Sequence, residues 1–362
     1  DFENIDFCIP IENGPNSNGF DYSFGFSGSL DMAPYVYVEN SYPTMIPTKT
    51  TVDRGEYTWW REGPTSDDFV HVETTPLLFE KSLNFIKSRD KEKPFFLYLA
   101  LPSPHTPILP TKQWINKSEL NPYADFVLQI DNLIGRLNSL LENEHIDENT
   151  ILIISSDNGC SPEANFKLLV EKGHDPSYIF RGHKADIFEG GTRVPLIIKW
   201  PKKIKKKSIS NRLVSLVDFY STFAEILRLN LGENEGEDSF SLVPIFENSN
   251  SLSSRNSLVT SSVNGTFAIQ KNEFKLITSP DSGGWSQPVP RKNNDNIGAD
   301  FQLYNLELDP GEENNLYLKN NIIANDLKDE LKKIIIDGRS TVGKKLKNEN
   351  INNWKQINWI NK

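Results

Sequence analysis

The chain has 362 residues, with 39 Lys and Arg against 49 Asp and Glu for a formal charge of −10, 37% hydrophobic residues and 2 cysteines. That length buries a sizeable core, as one large domain or a large and a small one, which excludes global disorder. The acidic balance, with no long basic arm, excludes the usual nucleic-acid binder and favours a small-molecule or carbohydrate partner.

Cys8 and Cys160 are too few for a disulfide framework and lack the paired spacing of a zinc site. No window reaches the ~18 consecutive apolar residues of a membrane span. The opening Asp-Phe-Glu-Asn has neither a basic start nor an apolar signal core, and there is no initiator Met. The expectation is a mature or truncated product.

Residues 1–75 are rich in Gly, Pro, Asn and aromatics and predict loops and short strands, a long irregular stretch of the kind that is functional or covered. Thr75-Pro76 predicts a helix start, followed by an apolar stripe through Leu77, Leu78, Phe79, Leu83, Phe85 and Ile86. After a charged break, Pro94 to Leu101 is a continuous apolar run and predicts a strand buried on both faces. Phe126, Ile130, Leu133, Ile134, Leu137 and Leu141 recur at helical spacing, and Ile151 to Ile154 and Val194 to Trp200 predict two more buried strands. A helix over roughly Asn211 to Leu229 follows the basic connector Lys202 to Lys207, which is most simply a solvated loop. Alternation of strands and helices predicts an α/β layered fold with a large, mostly parallel central sheet.

Around residues 230–256 the composition turns to Gly, Glu, Asn and Ser, the mark of a linker. Beyond it, Leu258 to Thr260, Thr266 to Gln270 and Phe274 to Thr278 are short strand-like runs, the last two a hairpin candidate across Lys271-Asn272-Glu273. Phe301 to Leu306 adds an edge strand, and residues 323–336 are helical. The expected division is residues 1–235 as the catalytic α/β domain and 236–362 as a small C-terminal antiparallel sheet with a covering helix.

Three stretches carry chemistry. Ser156-Asp157-Asn158-Gly159 places hard oxygen donors, suited to Ca²⁺ or Mg²⁺, directly after a strand, where α/β sheets form their binding crevice. Asp-Asn-Gly is equally the composition of a plain turn. Ser103-Pro104-His105-Thr106-Pro107 holds a histidine just past the strand predicted at Pro94 to Leu101, able to donate a proton or bond an anion. Arg181 to Pro195 mixes basic residues with glycines, so that Lys184 offers a point charge to an oxyanion where the backbone approaches closely. His71, His145 and His174 lack such company and are surface or structural, and Trp59, Trp60, Tyr35 and Tyr37 serve packing before sugar stacking.

In family order, these stretches, together with Gly19-Phe20-Asp21-Tyr22 through Ser29-Leu30-Asp31-Met32 and Leu303-Tyr304-Asn305-Leu306 with Asp309-Pro310-Gly311-Glu312, resemble the formylglycine-dependent sulfatases, the arylsulfatase A-like branch of the alkaline-phosphatase superfamily. The resemblance implies a sulfuric ester hydrolase acting on a sulfated small molecule or carbohydrate, periplasmic or secreted. It implies that Asp157 and Asn158 supply half of a Ca²⁺ (or Mg²⁺) site, that His105 and Lys184 hold the sulfate and assist the leaving oxygen, and that Ser29 lines the same pocket. Neither Cys8 nor Cys160 lies in the nucleophile motif, because the Arg it requires follows neither. Formylglycine is therefore expected in an N-terminal part, along with the paired aspartates that complete the metal site. The alternatives are a phosphodiesterase or phosphonate hydrolase of the same superfamily, or a non-catalytic anion-binding protein.

Overall fold

The structure is a computed structural model and describes residues 2–248, 250–251, 255–290, 300–347 and 354–361. The chain forms two compact units, Asp1–Asp147 with Glu163–His174, and Glu148–Pro162 with Asp175–Lys362.

In the first unit, β1 (Phe24–Gly25), β2 (Val38–Glu39) and β3 (Tyr42–Pro43) form a small antiparallel sheet, and β4 (Lys49–Asp53) pairs antiparallel with β5 (Trp60–Thr65). Tyr35, Tyr37, Leu30 and Phe69 are buried together beneath them. Packing, not sugar stacking, thus claims these tyrosines.

Helix α1 (His71–Ser88) begins one turn before Thr75-Pro76, so that Pro76 lies inside it. The early start is set by tertiary contacts that override the local signal: His71 stacks on Trp60 at 3.9 Å between ring centroids, and the Thr74 hydroxyl bonds both Tyr37 and the Val70 carbonyl. Helix α2 (Pro122–Asn143) matches its prediction. Asn121 caps it by accepting from the Ala124 N–H, Pro122 occupies the first turn, and Phe126, Leu133, Leu137 and Leu141 form its buried face. A short helix, α3 (Phe166–Glu171), completes the unit.

His71 is buried, its Nε2 has no hydrogen-bond partner among the described residues, and burial pushes its pKa from 6.5 down to about 4, against an opposing pull from Asp53. A neutral folded-state histidine gives stability that is complete above pH 6.5 and is lost as the pH falls toward 4, because the unfolded chain takes up the proton first. The melting temperature should therefore drop across that window, and His71→Phe should flatten the drop. An unchanged acid slope in that variant would assign it to other groups.

The run Pro94 to Leu101 is not the buried strand expected. It has no ladder partner among the described residues, and Phe96 and Tyr98 are 61% and 73% exposed. Apolarity predicts burial, but a strand also needs a neighbouring backbone to receive its hydrogen bonds.

The second unit opens with β6 (Leu152–Ser155), which pairs with β7 (Leu196–Lys199). The pairing is antiparallel, contrary to the parallel sheet expected. Among the described residues every strand ladder is antiparallel, and the lone parallel bridge joins Tyr35 to Thr65. The connection between β6 and β7 holds only short helices, α3 and the four-residue α4 (Glu189–Thr192), and not the long crossover helix usual between parallel neighbours. Both strands are half-buried rather than covered on both faces.

Helix α5 (Asp218–Ile226) is shorter than predicted, since the Asp218 carboxylate accepts from the Ser215 N–H and holds the preceding residues in a turn. After α6 (Val243–Glu247) comes a stretch that is partly outside the described residues (249 and 252–254), within the linker expected there. The C-terminal sheet is as expected: β8 (Leu258–Ser261), β9 (Phe267–Lys271), β10 (Phe274–Ile277) and β11 (Gln302–Asn305) lie in the antiparallel order β11-β10-β9-β8. Helix α7 (Asn321–Asp337) covers it, packing Ala324, Leu327 and Leu331 on Ile269, Leu276 and Leu303, and ends at Gly338 with φ 68°. The fold class is mixed α/β with a small C-terminal antiparallel sheet.

Candidate active site

In the first unit the site is built around Asp31, 4% exposed. Its two carboxylate oxygens accept from the Ser29 hydroxyl and from the Arg61 guanidinium, and His105 Nδ1 stands 3.9 Å away. His105 Nδ1 lies 2.7 Å from the Thr106 carbonyl, which can only accept. Nδ1 therefore donates to it, which leaves Nε2 as the ring nitrogen that can face a ligand. The structure thus brings Ser29 and His105 together at one oxygen, Oδ1, of a buried carboxylate. Arg61 was not singled out in the sequence and Asp31 only as a member of the Ser29-Leu30-Asp31-Met32 stretch: the two are 30 positions apart, and only folding joins them. The half-buried Trp59 carries the Arg61 guanidinium over its ring, 5.1 Å from the centroid.

In the second unit, Ser156 to Cys160 follow β6 directly. Asp157 is exposed and Asn158 half-buried. The Asn158 Nδ2 donates to the Gly159 carbonyl at 2.9 Å, which leaves the amide oxygen as the acceptor available to a cation. The Ser156 hydroxyl donates to the Asn158 carbonyl at 3.1 Å and closes the turn. Lys184 is tied to this loop by its backbone, its N–H donating to the Cys160 carbonyl at 2.8 Å. No carboxylate of its own unit pairs with its ammonium among the described residues.

The glycines of the block are explained by contact. The Gly159 N–H donates to the Gly191 carbonyl at 3.0 Å, and a Cβ on Gly159 would fall 1.8 Å from the Gly190 carbonyl oxygen. A Cβ on Gly190 would fall 2.2 Å from the Gly182 carbonyl oxygen. Buried Asp186 accepts from the backbone N–H groups of His183, Trp285 and Ser286 at 2.7 to 2.9 Å and so fixes the turn that carries Lys184.

The donor set suits a hard cation, because Asp157 and Asn158 offer oxygen and no sulfur or nitrogen. Two such ligands fall short of the six to eight oxygens Ca²⁺ takes, and among the described residues no three His, Cys, Asp or Glu side chains cluster to hold a metal.

The family model Sulfatase matches residues 9–229, more than half of the chain. The chain belongs to the sulfatase family. A second model, N-sulphoglucosamine sulphohydrolase, C-terminal, matches residues 182–286. This sulfatase is 29% identical to an N-acetylgalactosamine-6-O-sulfatase of Bacteroides thetaiotaomicron, over 91% of the chain and 71% of the relative. It is 30% identical to the N-acetylgalactosamine-6-sulfatase of Homo sapiens, over 64% of the chain and 42% of that relative. The chain thus spans less than half the length of the human relative. A solved "6S-sulf" structure from the metabolism of multiple glycosaminoglycans by Bacteroides thetaiotaomicron superimposes with a TM-score of 0.77 at 28% identity, covering 91% of this chain and 75% of that one. The sulfatase fold is alkaline-phosphatase-like, and among the described residues no helix is long and apolar enough to cross a membrane.

Proposed function

We propose that the full-length protein hydrolyses a sulfate ester on a carbohydrate, with Asp157 and Asn158 as two ligands of a Ca²⁺ ion, Lys184 and His105 as the groups that hold the sulfate, and Ser29 as a further substrate-binding residue. The observation that carries this reading is the backbone lock between the Asp157-Asn158 loop and the Lys184 turn, which holds on one frame two oxygen donors and a lysine that has no carboxylate partner in its own unit among the described residues. On this reading residues 1–235 belong to the catalytic domain and 236–362 form the C-terminal subdomain, in a secreted or periplasmic protein.

Bound Ca²⁺ would supply charge neutralisation at the sulfate oxygens, and formylglycine, from a segment outside these 362 residues, would supply the attacking oxygen. The residues in hand do the rest. Lys184 offsets the charge that grows on oxygen as the ester bond breaks, and His105, anchored through Nδ1 to the Thr106 carbonyl, would in its doubly protonated form donate from Nε2 to the sulfate or the departing oxygen. The names of the relatives support a 6-O-sulfated amino sugar as the first substrate to try.

The test combines metal binding with turnover. Asp157→Ala should weaken Ca²⁺ binding by the full-length protein by about tenfold or more, since it removes the formal charge from an oxygen-ligand site. Calorimetric titration with Ca²⁺ reads the loss, and sulfate release from N-acetylgalactosamine 6-sulfate should fall with it. Wild-type Ca²⁺ affinity in the variant would remove Asp157 from the site.

A further inference from the structure

The Asp157-Asn158 loop rests on Gly190 and Gly191, and those glycines belong to α4, whose first residue, Glu189, enters a buried charge cluster. The Lys275 ammonium, on β10, lies 2.9 Å from Glu189 Oε1 and 3.0 Å from Glu312 Oε1. The other oxygen of Glu312 accepts the Glu189 backbone N–H at 2.6 Å, and the other oxygen of Glu189 accepts from Arg193 Nε at 2.6 Å. Lys275, Glu189 and Glu312 are 2%, 4% and 0% exposed. Burial alone would lower the lysine pKa, but the two carboxylates overcome it and hold the ammonium above its ordinary range.

Burying this many charges is costly, and apolar residues of similar volume would serve stability as well or better. Directional ionic and hydrogen bonds, by contrast, fix the register of what they hold. The held element here is the N-terminus of α4, two residues from the carbonyl that receives the Gly159 N–H.

We infer that Lys275, with Glu312, is a positioning residue for the metal loop: through Glu189 it sets where Gly190 and Gly191 stand, and through them the placement of Asp157 and Asn158. The inference rests on the reading of those two residues as metal ligands only for its Ca²⁺ arm.

The experiment is amide hydrogen exchange together with Ca²⁺ titration on the full-length protein. In Lys275→Met, exchange over residues 156–160 and 189–192 should accelerate about tenfold or more while α2 keeps its protection, and half-saturation should need about tenfold more Ca²⁺ or beyond. Lys271→Met breaks an ion pair to Glu330 next to the same hairpin and should change neither reading. The double variant Lys275→Met with Glu312→Gln removes one charge of each sign, so it strands no unpaired carboxylate, and it should reproduce both shifts. Wild-type exchange at residues 156–160 in the double variant would overturn the inference. So would, in the unmodified protein under rising urea, opening of Gly159 at a concentration where residues 189–191 remain protected, a reading that needs no variant to fold. Faster exchange at the loop without Ca²⁺ binding by any version of the protein would uphold the positioning role and overturn the metal reading.

Discussion

Lys184→Ala is expected to lower kcat for sulfate-ester hydrolysis by about 10²-fold or more, the usual worth of one preorganised contact to a developing oxyanion. Its ammonium has no carboxylate partner in its own unit among the described residues, so none of its charge is spent on structure there. The side chain stands on a turn fixed by buried Asp186 and by the Cys160 carbonyl, so its removal should leave the turn in place. The thermal midpoint should therefore stay close to that of the wild type while turnover collapses. Sulfate release under saturating and limiting substrate separates the effects: a rise in KM alone, with kcat unchanged, would show that Lys184 binds the ground state and contributes nothing further in the transition state.

Arg255→Met should destabilise the second unit by about 3–5 kcal/mol, the penalty for stranding one member of a buried ion pair. The Arg255 and Asp218 side chains are 2% and 1% exposed, joined by two bonds of 2.5 and 3.3 Å. Arg255 also donates to the Asp238 and Ser257 carbonyls, and its guanidinium lies 4.6 Å from the Phe240 ring centroid. Its loss leaves a buried carboxylate at the start of α5 with the Ser215 and Phe240 N–H groups as its remaining donors among the described residues. Urea unfolding reads the change. A loss of under about 1 kcal/mol, the scale of an exposed pair, would mean that water reaches Asp218 once the arginine is gone.

What could be read in advance depended on whether the signal was local. Helix α2 and the β9–β10 hairpin were legible because an apolar stripe or a short turn states each within a few residues. The segment Pro94 to Leu101 was misread since its apolarity is local but the strand that would pair with it is not. The same limit hid half of the site. Ser29, His105, Asp157, Asn158 and Lys184 sit in motifs, whereas Asp31 meets Arg61 across 30 positions and Glu189 meets Lys275 across 86 and Glu312 across 123. Neither pairing leaves a trace in spacing or periodicity. Pro76 shows the converse, a clear local start signal overruled by the aromatic stack on His71.

The contact of Gly159 with Gly190 and Gly191 is made between main chains alone, with no side-chain atom to exchange on either part. It therefore has no adjustable part: substitution can break it, through the Cβ that would meet the Gly190 carbonyl oxygen at 1.8 Å, but cannot retune it. Redesign of this protein for another anion or another cation is confined to what projects from that frame. Libraries that keep residues 159, 190 and 191 as glycine and vary Ser156, Asp157, Asn158 and Lys184 would sample new chemistry on an unchanged scaffold. Libraries that include the glycines would mostly sample broken ones.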